Sequence, residues 1–94
     1  MLMLLSPPEI EGKLSQLPGW QLDGKSICST RRFRGFPEAI EFVQAIVAPA
    51  EEAGHHPDLE ISYNRVTIRL TTHDAGGLTH KDFALAQIID TLTP

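Results

Sequence analysis

Apolar residues recur along this chain in two rhythms, one helical and one of strict alternation, and their succession predicts the order of elements. Ser6-Pro7-Pro8-Glu9 opens a helix: Ser6 can cap free backbone N–H groups, proline is tolerated in the first turn, and Glu9 completes a capping box. That helix is expected to reach about Gln16 and to stop before Pro18-Gly19. Residues 20–22 and 26–33 then read as a hairpin turning at Asp23-Gly24. Over residues 37–53 the helical period returns, with a stripe of Phe36, Ile40, Val43 and Val47 widened by Phe42, Ile46 and Ala50. Pro49 should kink or distort this helix because it removes one backbone hydrogen bond, and Gly54 should end it.

Alternation resumes in Leu59, Ile61 and Tyr63 and again in Val66, Ile68 and Leu70, with Asn64-Arg65 as the tight turn between two strands. On that pattern Tyr63 packs on the sheet. Gly76-Gly77 marks a flexible loop, and residues 79–92 close the chain as a helix capped by Thr79, with Asp82 three residues on. Leu85, Ile88, Ile89 and Leu92 give that helix its buried face. The order αββαββα predicts an α+β fold, a four-stranded antiparallel sheet with three helices packed on one face. Pattern leaves the strand order open. No repeat or low-complexity linker interrupts residues 1–94, which read as a single domain.

Composition narrows the function classes. A chain of 94 residues has a modest core, so oligomerisation is expected. The net charge of -4 argues against nucleic acid as a partner, since phosphate neutralisation needs a cationic surface. Arg31-Arg32-Phe33-Arg34 is the one basic cluster and reads as basic residues guarding an edge strand. A lone cysteine, Cys28, forms no internal disulfide and no zinc pair, and is expected to pack as a small buried side chain. Residues 1–5 are apolar but too short for a signal-peptide core or a membrane span. These features together suggest a cytoplasmic protein without membrane contact.

The candidate chemistry is histidine acid–base work. His55 and His56 follow the long helix, and Pro57 keeps the helix from continuing through them. His73 ends a strand, off the core face if the alternation persists. A metal site built from these three lacks the usual three- or four-residue helical spacing, and adjacent histidines on extended chain point to opposite sides. Imidazole titrates near neutrality, so one ring can donate a proton while another accepts one. Asp82 can fix a ring tautomer while also serving as a first-turn acid of its helix.

The segment from 51 to 82 adds a resemblance. Glu51, three residues, His55-His56-Pro57, five residues, Tyr63, nine residues, His73, eight residues and Asp82 match the signature of the pterin-4a-carbinolamine dehydratases at every fixed position. The neighbouring Tyr63-Asn64-Arg65-Val66 and Thr72-His73-Asp74-Ala75-Gly76-Gly77-Leu78-Thr79 also resemble that family. The resemblance implies dehydration of 4a-hydroxytetrahydropterin to quinonoid dihydropterin, with no cofactor and no metal. It implies catalytic roles for His55, His56, His73 and Asp82, with His55 and His73 as the proton-transfer pair. Substrate binding would fall to His56, Pro57, Glu51 and Tyr63. It further implies a homodimer or homotetramer and an aromatic amino acid hydroxylase in the same pathway. Lys81 stands where some relatives carry arginine, which keeps the charge and loses bidentate pairing, and His80 falls outside the signature as a surface residue. The alternative is a protein-binding or assembly module, like the family's transcription cofactors or Rubisco-assembly proteins.

Overall fold

The computed structural model describes residues 3–92. Met1, Leu2, Thr93 and Pro94 lie outside them, so the apolar opening segment is described only from Met3 onward. The chain runs α1 (Pro7–Leu14), β1 (Gln21–Asp23), β2 (Ser26–Arg32), α2 (Phe36–Ala53), β3 (Asp58–Ser62), β4 (Arg65–Leu70), a 3-10 turn (His73–Ala75) and α3 (His80–Asp90). The expected αββαββα order is met. All neighbours are antiparallel, and the strand order is β1-β2-β4-β3, so the two hairpins join through their second strands.

Register assigns the two faces of the sheet. Ile27 lies opposite Leu70 and Ile61 opposite Val66, so alternation turns Ile27, Ser29, Val66, Ile68 and Leu70 toward the helices. All five are buried. Against them pack Ala39, Phe42, Ile46 and Ala50 of α2 and Phe83, Leu85, Ala86 and Ile89 of α3. The shorter α1 adds partly buried Ile10 and Leu14. Each large apolar side chain taken fully from water contributes about 1.5–3 kcal/mol. Cys28 sits one residue off Ile27, on the helix-free face, and is half-buried rather than enclosed as expected.

The core face of α2 follows one half of the expected stripe, Phe42, Ile46 and Ala50, and leaves the ends of the other half outside. Phe36 is 51% exposed and Val47 58%, while Ala39, Phe42, Ile46 and Ala50 face the sheet. Apolar residues cover so much of this helix that its period does not choose between adjacent stripes. The alanines let the helix approach closely. Pro49 sits inside α2, which continues through it, and the bond it forgoes would have ended on the carbonyl of exposed Ala45. In α3, likewise, Ile88 faces outward and Phe83 and Ala86 inward.

Two further expectations change. The basic cluster lies where β2 runs on beyond β1, whose pairing ends at Cys28, but Arg31 turns inward instead of standing solvated at that edge. The Arg31 guanidinium pairs with Asp90 and lies 5.7 Å from the Trp20 ring and 5.9 Å from that of Phe42. Trp20 Nε1 also donates to Asp90, at 2.9 Å, so this cluster fastens the first hairpin to the end of α3. Both turns fall one residue from where they were expected. Asp23 pairs with Ser26 and Ser62 with Arg65, which makes Gly24-Lys25 and Tyr63-Asn64 the turn residues. Tyr63 is therefore 68% exposed at a φ of 54°, not packed on the sheet. No helix among the described residues is long and apolar enough to cross a membrane.

Candidate active site

Two helix ends meet to build the site. Gly54 takes a left-handed conformation, φ 60°, and caps α2 by donating to the Ala50 and Glu51 carbonyls. The chain leaves this cap as His55-His56-Pro57, and the two rings part. His55 turns inward and is 8% exposed, while His56 turns outward. At the other helix end, Thr79 caps α3 and Asp82 occupies the third position of its capping box. The Asp82 side chain is fully buried. Its Oδ1 lies 2.6 Å from His55 Nε2, and its Oδ2 accepts from the Thr79 backbone N–H at 2.9 Å and from the Thr72 hydroxyl at 2.8 Å. The helix-capping role and the histidine-orienting role of Asp82 are thus held by one side chain.

His56 Nε2 pairs with Glu51 Oε2, on the last turn of α2. Both side chains are exposed, so the pair adds little stability and chiefly aims the ring. His73 begins the 3-10 turn just beyond β4, and it is exposed. Thr72 bridges to Gly77, and Gly76 closes the turn at φ 77°. A cavity of about 180 Å³ gathers Gly54, His55, His56, Thr72, His73 and Lys81 on its walls. The three histidines of the signature therefore face one space, with Asp82 behind His55.

Other expected residues lie further off. Pro57 and Glu51 line a neighbouring apolar groove with Val47 and Leu59, and His56 stands between groove and cavity. Tyr63 is beyond the far end of β3, six residues and roughly 20 Å along extended chain from Pro57, and does not line the cavity. A larger cavity of about 580 Å³, near Arg32, Phe33 and Leu92, holds none of the signature residues. We assign the site to the smaller space because only there do titratable groups converge on a buried carboxylate. Thr72 was not anticipated. Its signal was present: it continues the inward series Val66, Ile68, Leu70, and a polar residue in that series needs a buried partner.

Comparison with known proteins identifies the family. The family model described as pterin 4 alpha carbinolamine dehydratase matches residues 3–92. A Cyanothece relative, provisionally named as such a dehydratase, is 58% identical over 93 residues, covering 99% of this chain and 96% of its own. A Chloroflexus aurantiacus relative of the same provisional name is 57% identical, covering 92% of each chain. The solved structure of a transcriptional coactivator/pterin dehydratase from Brucella melitensis superposes with a TM-score of 0.92 at 32% identity, over 98% of this chain and 100% of that one. A pterin dehydratase-like RuBisCO assembly factor of the alpha-carboxysome shares the fold, with a TM-score of 0.63 at 24% identity over 78% of this chain and 84% of its own. On sequence and on fold, the chain belongs to the pterin 4 alpha carbinolamine dehydratase family.

Proposed function

We propose that the chain is a 4a-hydroxytetrahydropterin dehydratase, a hydro-lyase that releases water and yields quinonoid dihydropterin. The observation that carries this reading is His55, held from behind by a fully buried carboxylate, sharing one cavity with His56 and His73. Elimination breaks the C4a–O and N5–H bonds and forms a C4a=N5 double bond. One group must take the N5 proton and another must supply a proton to the departing hydroxyl. A carboxylate accepts, so the His55 hydrogen facing Asp82 sits on Nε2 and Nδ1 is the ring atom open to a substrate proton; we assign His55 as the base. The carboxylate then stabilises the imidazolium as it forms.

In this reading His73 is the acid, and its exposure lets solvent restore its proton. His56, aimed by Glu51, orients the pterin, and Pro57 shapes the backbone just after it. Positioned acid–base groups typically supply about 10²–10⁴-fold, and orientation supplies more. A cavity of about 180 Å³ suits the reacting edge of the bicycle rather than the whole ligand. The reaction is redox-neutral and calls for no cofactor.

We place the enzyme in the cytoplasm as a homodimer or homotetramer, beside an aromatic amino acid hydroxylase that forms its substrate. The exposed apolar Phe36 and Val47 support self-association, which sedimentation would measure. The test of activity follows the ultraviolet decay of hydroxylase-generated 4a-hydroxytetrahydropterin with wild type and His73→Ala, each with chelator. Acceleration that requires His73 is expected; a folded wild type that gives none sinks the reading. That second outcome, with a stoichiometric protein partner in a pull-down, would favour a binding module instead, a role named for the Brucella neighbour as transcriptional coactivator.

A further inference from the structure

Thr72 is a buried polar residue to which the acid–base assignment gives no task. It is 4% exposed, so its hydroxyl must find protein partners. Two oxygens lie within reach, Asp82 Oδ2 at 2.8 Å and Thr79 Oγ1 at 2.8 Å. Each threonine hydroxyl has one hydrogen to give. Thr79 Oγ1 already accepts from the Lys81 backbone N–H at 3.2 Å. If Thr72 donated to Thr79, its oxygen would face a carboxylate oxygen with no hydrogen between them. The opposite direction satisfies every group: Thr79 donates to Thr72, and Thr72 donates to Asp82.

That chain has a consequence at the imidazole. Asp82 Oδ2 receives two donors, the Thr72 hydroxyl and the Thr79 backbone N–H. A planar carboxylate pinned through one oxygen has its other oxygen directed, here toward His55 Nε2 at 2.6 Å. A carboxylate only accepts, so Nε2 must carry the ring hydrogen.

We propose that Thr72 is a positioning residue: its hydroxyl, oriented by Thr79, pins Asp82 so that His55 keeps its hydrogen on Nε2 and offers Nδ1 to the substrate. This rests on the assignment of His55 as the base of the dehydratase. The test compares wild type, Thr72→Val and Thr72→Ser, each full-length and labelled with ¹⁵N in its histidine rings. Ring ¹⁵N shifts locate the hydrogen on His55, and kcat and KM for dehydration and the Tm are measured beside them. Wild type should show a bare Nδ1. Thr72→Val keeps the shape without the hydroxyl and should show both tautomers. Its kcat should fall roughly 10- to 100-fold, a fraction of the full acid–base contribution, with KM held within about 2-fold. Thr72→Ser should restore both readouts.

A threonine that merely supports the fold would lower the Tm and leave tautomer and kcat at wild-type values, and that result overturns the proposal. Should Thr72→Val not fold, Thr72→Ala carries the same comparison, and a hydrogen found on Nδ1 of wild-type His55 overturns the proposal alone. The spectra need no substrate. A wild type that does not dehydrate the pterin therefore defeats the functional reading, whereas a tautomer insensitive to Thr72 defeats this one.

Discussion

Asp82→Asn separates the carboxylate's chemistry from its shape. One oxygen becomes an amide NH₂ while the volume stays the same. The Thr79 N–H and Thr72 hydroxyl both approach one oxygen, at 2.9 and 2.8 Å, so the amide oxygen must take that place. The NH₂ is then left facing His55 Nε2 across 2.6 Å. A donor there makes Nε2 an acceptor and drives the ring hydrogen onto Nδ1, the atom we assign to take the N5 proton. The variant should fold and hold substrate but react slowly. In the Ser-His-Asp triad the same inversion of tautomer costs about 10⁴ in kcat, and we expect a loss of roughly 10³- to 10⁴-fold here. One charge-assisted bond in a buried site is worth about 1.5–3 kcal/mol, against a total stability on the order of 5–15 kcal/mol, so the native state should persist. Stopped-flow decay of the 4a-hydroxytetrahydropterin, with urea unfolding in parallel, measures both quantities. A folded Asp82→Asn protein with kcat within about tenfold of wild type would refute the tautomer argument, because acid–base contributions alone exceed that factor.

Three other outcomes are expected. Ile68→Ala empties a fully buried site in an interior strand and should cost about 2–5 kcal/mol, read as a lower urea midpoint at unchanged m-value; a loss under about 1 kcal/mol would contradict the packing described. Tyr63→Asn places a residue tolerant of left-handed backbone at φ 54°, with little packing to lose, and should stabilise by roughly 0.5–1 kcal/mol in thermal unfolding. The Ser6 backbone N–H, donating to Glu9 at 2.9 Å, holds the Glu9 carboxyl below its ordinary value. A depressed folded value means the stabilisation is full above the unfolded value of 4.5 and disappears as pH falls through the lower folded one. Amide exchange in α1 should therefore quicken, relative to Glu9→Gln, over that acid interval, and parallel profiles would remove Glu9 from the account.

The elements were legible wherever a single period dominated. β4 alternates cleanly, and its Val66, Ile68 and Leu70 are all buried. Ser6 and Thr79, with Glu9 and Asp82 three residues on, form the capping boxes their spacing announces. Legibility failed where two physical demands overlap on one residue. The face of α2 was legible in part: Phe42, Ile46 and Ala50 are buried, while Phe36 and Val47 fit the same period and stay exposed, because the partner sheet covers only part of a wide apolar stripe. Arg31 looked like edge protection because sequence shows its charge but not Trp20, Phe42 and Asp90 gathered around it. Tyr63 occupies a fixed place in the signature, yet the chain spends that residue on a turn. The site divides along the same line. His55 and Asp82 are 27 residues apart, and only the meeting of one helix's end with another's beginning joins them. At that junction Asp82 closes the cap of α3, sits favourably at the positive end of its dipole and fixes an imidazole, so helix stability and ring orientation depend on one carboxylate. Thr72 is the residue whose polarity made sense only once that carboxylate was in place.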